Sequence, residues 1–199
     1  MPSDDSYSNV AVDLCFQDGK TGERHLRIVS PGGAIVLVVD GDHGQLYAHG
    51  KSLGAKFTIM PDEQWIWSPD SRAVITTISL GAEGPVSSGI SFVSDTPKVP
   101  DIMDEIRKDF ATRHPNDRCR NDINVGGLTW LEGSGRAVLV AEVPSSGLCM
   151  ENGGYFDAYV VSVPEGRIVA WYPMKEVVKR WHSILGPLLR VDIDALRNK

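Results

Sequence analysis

The stretch Trp67-Ser68-Pro69-Asp70-Ser71-Arg72-Ala73-Val74 decides the fold. Proline followed by aspartate sets the φ and the local hydrogen bonding of a type I turn. Gln64 to Trp67 leads into that turn as a strand, and Ala73 to Leu80 (AVITTISL) leaves it as a β-branched strand. The stretch is therefore a tight hairpin. The same order recurs at Trp130-Leu131-Glu132-Gly133-Ser134-Gly135-Arg136-Ala137-Val138, read with one residue inserted before Arg-Ala-Val. After each turn the pattern continues as strand, loop, strand and helix, a unit of roughly 65–70 residues.

The segment Trp67 to Arg72, echoed at Trp130 to Arg136, resembles the blade repeat of TolB-type β-propellers. The resemblance implies a tight hairpin with its tryptophan packed between sheets. It implies no activity, because propellers host many functions. Closed propellers use typically about 4–8 four-stranded blades, whereas helices interrupt this chain at Asp101 and Met174. The expected fold is mainly β with two helices (α+β). Its β-meanders resemble propeller blades in two pseudo-repeated meander-plus-helix units, without closure.

Working outward, His25 to Ser30, Ala34 to Val39 and Gln45 to His49 read as strands separated by Pro31-Gly32-Gly33 and Asp40 to Gly44. Ala34 to Val39 (AIVLVV) is a continuous apolar run, which predicts a strand buried on both faces. Lys51 to Ala55 reads as a loop, followed by strands at Lys56 to Met60, Gly89 to Ser94, Gly127 to Leu131, Arg136 to Val143, Tyr155 to Val163 and Arg167 to Tyr172. Ile102, Ile106 and Phe110 make an apolar stripe on a helix from Asp101 to His114 that Pro115 stops. A second helix runs from Met174 to about Leu185, ended by Gly186-Pro187, and the apolar tail Leu188 to Leu196 docks. The expected organisation is one domain over 1–199: an N-terminal meander at 25–55, a first unit at 56–114 and a second at 127–186.

A chain of 199 residues with 42% hydrophobic and 23% charged residues can bury a core without staples. The formal net charge of −6 repels phosphate backbones and favours a basic protein partner over nucleic acid. No apolar run is long enough to span a membrane, and the polar start Met1 to Ser6 does not read as a signal peptide. Cys119 and Cys149 flank the hairpin at Leu128 to Val143 and can be bridged, leaving Cys15 over; in a reducing compartment all three stay thiols. With a bridge, the expected location is periplasmic or secreted, and otherwise cytoplasmic.

Catalytic signatures fail on inspection. Ser134 sits between Gly133 and Gly135 but follows Glu132, so it is no nucleophile elbow. Asp40-Gly41-Asp42 starts like a calcium loop, yet Gly44, Gln45 and Lys51 stand where ligands are needed. Asp40, Asp42, His43 and His49 are close in sequence but read as a solvated turn rather than a metal site. The acidic groups Asp62/Glu63 and Asp101/Asp104/Glu105 read as a turn and a helix N-terminus. No phosphate-binding glycine motif is present.

By elimination the sequence points to a non-enzymatic protein-binding domain that uses no cofactor. Its sharpest form is an inhibitor or immunity protein that blocks a basic partner enzyme or toxin. The expected contact residues are Asp40, Asp42 and His43 in one turn, Ser145, Ser146, Glu151 and Asn152 in the loop before Gly154, and Tyr155. Tyr155, Asp157 and Tyr159 share a strand face that is expected to be exposed and adhesive. The alternatives are an accessory subunit of a larger assembly and a hydrolase assembled from distant residues such as His43, His49, Asp70 and Asp157.

Overall fold

The computed structural model describes residues 6–14, 25–60, 62–79, 85–93, 100–115, 119, 122–144 and 154–197. They form three four-stranded antiparallel sheets and three α-helices. Sheet 1 is the meander β2 (His25–Val29), β3 (Ile35–Asp40), β4 (His43–Ala48) and β5 (Lys51–Thr58). Sheet 2 has the order β1 (Val12–Asp13), β6 (Glu63–Trp67), β7 (Ala73–Ile78) and β8 (Ser87–Phe92). Sheet 3 is a second complete meander, β9 (Asn124–Trp130), β10 (Arg136–Glu142), β11 (Phe156–Ser162) and β12 (Ile168–Pro173). The helices are α1 (Met103–Arg113), α2 (Met174–Trp181) and α3 (Pro187–Arg197).

The sheets stack in order, each apolar face meeting the next. Leu37, Val39 and Ile59 of the first layer meet Trp65, Trp67 and Val74 of sheet 2. The opposite face of sheet 2, with Ile66 and Ile75, meets Trp130, Leu139 and Val161 of sheet 3, and α1 inserts Ile106 and Phe110 into that layer. The far face of sheet 3, with Val138, Val140, Phe156 and Val160, is covered by Val177, Leu189 and Ile193 of α2 and α3. The stack is open, not a closed propeller, as the sequence implied.

The hairpin motif occurs three times, not two. In each, the residue after the strand end donates its N–H five residues on: Ser30 to Ile35, Ser68 to Ala73 and Leu131 to Arg136, at 2.9, 2.8 and 2.9 Å. The pairs Val29↔Val36, Trp67↔Val74 and Trp130↔Ala137 flank these turns. Gly33, Ser71 and Ser134 occupy the same turn position in left-handed conformation, at φ of 72°, 64° and 62°. The structural alignment has no insertion in the turn, so Ala73 matches Arg136 and not Ala137. The shared Arg-Ala-Val is thus offset by one position, and a register shift at Val138/Leu139 follows in sheet 3. The instance at Val29 to Val36 escapes the sequence reading because valine stands where the other two have tryptophan.

Other differences have local causes. The segment read as a loop at Lys51 to Ala55 is the first half of β5, bent by Gly54 at φ +67°. The run in β3 is fully buried on one face only: Leu37 and Val39 are buried, Val36 and Val38 half-buried. Gly186-Pro187 ends α2 and its 3-10 extension, but Pro187 also opens α3, since a first-turn proline lacks only an N–H that has no helical partner. Ser6 to Leu14 is built in: Gly186 donates to Tyr7 O and Leu14 to Glu63 O, both at 2.9 Å. Tyr7 lies on Gly126, where a Cβ would meet its ring at 2.2 Å. Its hydroxyl donates to the buried Glu142 carboxylate.

Candidate functional site

The outward face of sheet 1 is the one sheet face among the described residues that no other layer covers. The register assembles it in rows: His25–Asp40–His43, Arg27–Val38–Gln45 and Val29–Val36–Tyr47. Alternation in β2 sends Leu26 and Ile28 inward and His25, Arg27 and Val29 outward. Val29 is 46% exposed, whereas Trp67 and Trp130, its structural equivalents, are 8% exposed. Those tryptophans mark the faces with which sheets 2 and 3 pack on the layer before them. The open face of sheet 1 is therefore the same face of the repeat, without a layer before it.

Of the expected contact residues, Asp40, Asp42 and His43 lie together at the β3–β4 turn, at one end of this face. Asp40 and Asp42 each face an imidazole: His25 Nδ1 is 3.0 Å from Asp40 Oδ1, and His43 Nδ1 contacts Asp42. No group of three or more potential metal ligands occurs among the described residues. Ser145, Ser146, Glu151, Asn152 and Cys149 lie outside the described residues. Cys119 is buried and disulfide-bonded. Arg27, Val29, Val36, Val38 and Tyr47 join the face without having been singled out. The signal was available in the alternation of HLRIV and in the apolar outward positions of β3.

Tyr155 belongs elsewhere, and the face it shares with Asp157 and Tyr159 is not exposed. Asp157 and Tyr159 are fully buried beneath α1. One Asp157 oxygen takes hydrogen bonds at 2.8 Å from both His114 Nε2 and Trp171 Nε1. The His114 ring lies 4.5 Å from that of Phe110 and 4.9 Å from that of Tyr155. Arg113, paired with Asp109, stacks 4.3 Å over Trp171. Burial, reinforced by the Asp157 charge, pushes both the Tyr155 and Tyr159 hydroxyls well above the usual phenol range. The other Asp157 oxygen and the Tyr159 hydroxyl have no hydrogen-bond partner among the described residues. The bond from His114, at the end of α1, to Asp157 of β11 makes the cluster a polar latch fastening α1 to sheet 3. His43 and His49 lie on sheet 1 and Asp70 in the β6–β7 turn, so the four residues of the hydrolase alternative stand in separate places.

The fold and this surface define an open stack of β-blades, capped by helices at one end and, among the described residues, uncovered at the other. No protein-family model matches the chain, and no curated protein matches it at a significant level. No helix among the described residues is long and apolar enough to cross a membrane.

Proposed function

We propose that the chain is a protein-binding domain whose partner covers the outward face of sheet 1. One observation carries this reading: Val29, at the repeat position that is a buried tryptophan in the other two blades, is exposed on that face. The outward Val36 and Val38 support it, because a strand apolar on both sides fits a sheet with cover on both sides. A second copy stacking head to tail is excluded as the cover, since α2 and α3 occupy the far face of sheet 3. A face-to-face pair of copies would bring two net charges of −6 together, so the partner in this reading is a different protein. The net charge of −6, with Asp40 and Asp42 at the rim, favours a basic one. An inhibitor or immunity protein acting on a basic enzyme or toxin fits these terms. The disulfide at Cys119 fits a periplasmic or secreted location.

The test is capture of partners from the source organism, followed by calorimetry with each purified candidate. Val29→Lys and Val38→Lys should abolish binding while the fold survives. Asp40→Asn with Asp42→Asn should slow association at low salt and change little at high salt. A partner bound equally by the wild type and both lysine variants would overturn the assignment of the face.

A further inference from the structure

A second surface has different chemistry. Between the outer strands of sheets 1 and 2 runs a groove of about 460 Å³, walled by Leu46, Leu53 and Phe57 on one side and Val93 on the other. Arg72 stands at its rim. The Arg72 side chain is 78% exposed, and its Nε is committed to Asp70 Oδ2 at 2.9 Å. Its two terminal nitrogens carry no hydrogen bond among the described residues, which leaves a planar pair of donors directed at whatever enters. β5 is the outer strand of sheet 1, so one side of its backbone has no ladder partner among the described residues. β5 is eight residues long, and its exposed charges, Lys51 and Lys56, are both positive. The local charge is therefore opposite in sign to that of the whole chain.

We propose that this groove binds the C-terminal end of an extended apolar peptide, which adds to β5 as a fifth strand and places its terminal carboxylate on Arg72. Each feature has a share in this. The free edge supplies main-chain hydrogen bonds, the apolar walls receive alternate side chains, and the guanidinium reads the carboxylate. The volume suits a few apolar side chains, not a folded domain. This site is independent of the outward face of sheet 1, which is the other side of the same sheet.

The experiment uses dansylated tetravaline as free acid and as C-terminal amide, titrated into the full chain and followed by fluorescence anisotropy. The free acid should bind at least about tenfold more tightly than the amide, the difference made by one charge-assisted pair. Arg72→Gln should erase that difference, and Leu53→Glu should weaken both forms. Val29→Lys should leave both unchanged. Equal binding of acid and amide by the wild type, or no binding of either, would overturn the proposal. Decanoate tests the other source of a carboxylate on an apolar chain. If it binds in an Arg72-dependent way while the peptide does not, strand addition on β5 is refuted.

Discussion

Ser134 Oγ accepts the backbone N–H of Asp70 at 3.0 Å, tying the hairpin turn of sheet 2 to that of sheet 3. Its equivalent one layer earlier is Ser71 Oγ, which accepts the Gly32 N–H at 2.8 Å. Both serines need a left-handed backbone to aim the hydroxyl at the preceding turn. Two neighbouring layers are thus joined by one repeated hydrogen bond in addition to their apolar contact. Gly33 holds the same position in sheet 1, which no layer of the described residues precedes.

This relationship separates hydrogen bonding from backbone strain. Ser134→Ala removes the acceptor and keeps a Cβ at φ +62°, so it should cost about 1–2 kcal/mol. Ser134→Gly loses the same bond but relieves the left-handed strain, of order 1 kcal/mol, and should cost less. Urea denaturation distinguishes them, and equal losses would show that the strain argument fails.

Asp70 should make the turn acid-sensitive. Burial pushes its carboxyl up, but hydrogen bonds from Ser68, the Arg72 backbone and side chain, and Ser134 outweigh burial and hold it at about 2, against 3.8 unperturbed. A depressed folded-state pKa gives stability that is fully present above the unfolded value and is lost as pH falls through the folded one. The window is therefore between pH 3.8 and about 2. Because the carboxylate is 31% exposed, we expect about 1 kcal/mol after screening. Asp70→Asn should flatten the stability curve in that window, as read by denaturant midpoints at each pH.

Asp157→Ala should cost about 3–5 kcal/mol, since it strands the His114 and Trp171 donors under α1. Hydrogen exchange of the α1 amides should rise with it. Unchanged α1 protection would show that the latch does not hold the helix.

The two ends of the stack should respond oppositely to substitution. Val29→Lys, on the open face, should change stability by less than about 0.5 kcal/mol. Trp130→Ala, at the equivalent position in sheet 3, should cost about 3–5 kcal/mol, since its ring is buried and its Nε1 donates to Ile66 O at 2.9 Å. Thermal melts of the two variants measure this directly.

Cys119 is disulfide-bonded, and we predict Cys149 as its partner, with Cys15 as the remaining thiol. Thiol counting on denatured, unreduced protein should give one thiol. Cys149→Ser should lower stability by about 3–4 kcal/mol in the chain-entropy model for a loop of about 30 residues. Cys149→Ser should then show two thiols, and a count of zero in that variant would instead pair Cys119 with Cys15.

The sequence by itself determined the hairpins, because turn residues and strand alternation act over a few positions. Trp67-Ser68-Pro69-Asp70-Ser71 fixes its turn whatever surrounds it, and Ile102, Ile106 and Phe110 fix a helix face. It also carried most of the sheet order, since short connections make neighbouring strands pair. Only the tertiary structure decided which faces are covered. Tyr159 and Val38 both occupy strands apolar on each side, yet α1 closes over the first and no layer of the described residues closes over the second. Burial depends on what arrives from distant parts of the chain, and neither α1 over sheet 3 nor Ser6 to Leu14 along Gly126 and Gly186 is encoded in local periodicity. The candidate site followed the same division. Asp40, Asp42 and His43 were legible as a polar turn, but the rows that join them to Arg27, Val29 and Tyr47 exist only once the register of β2, β3 and β4 is set.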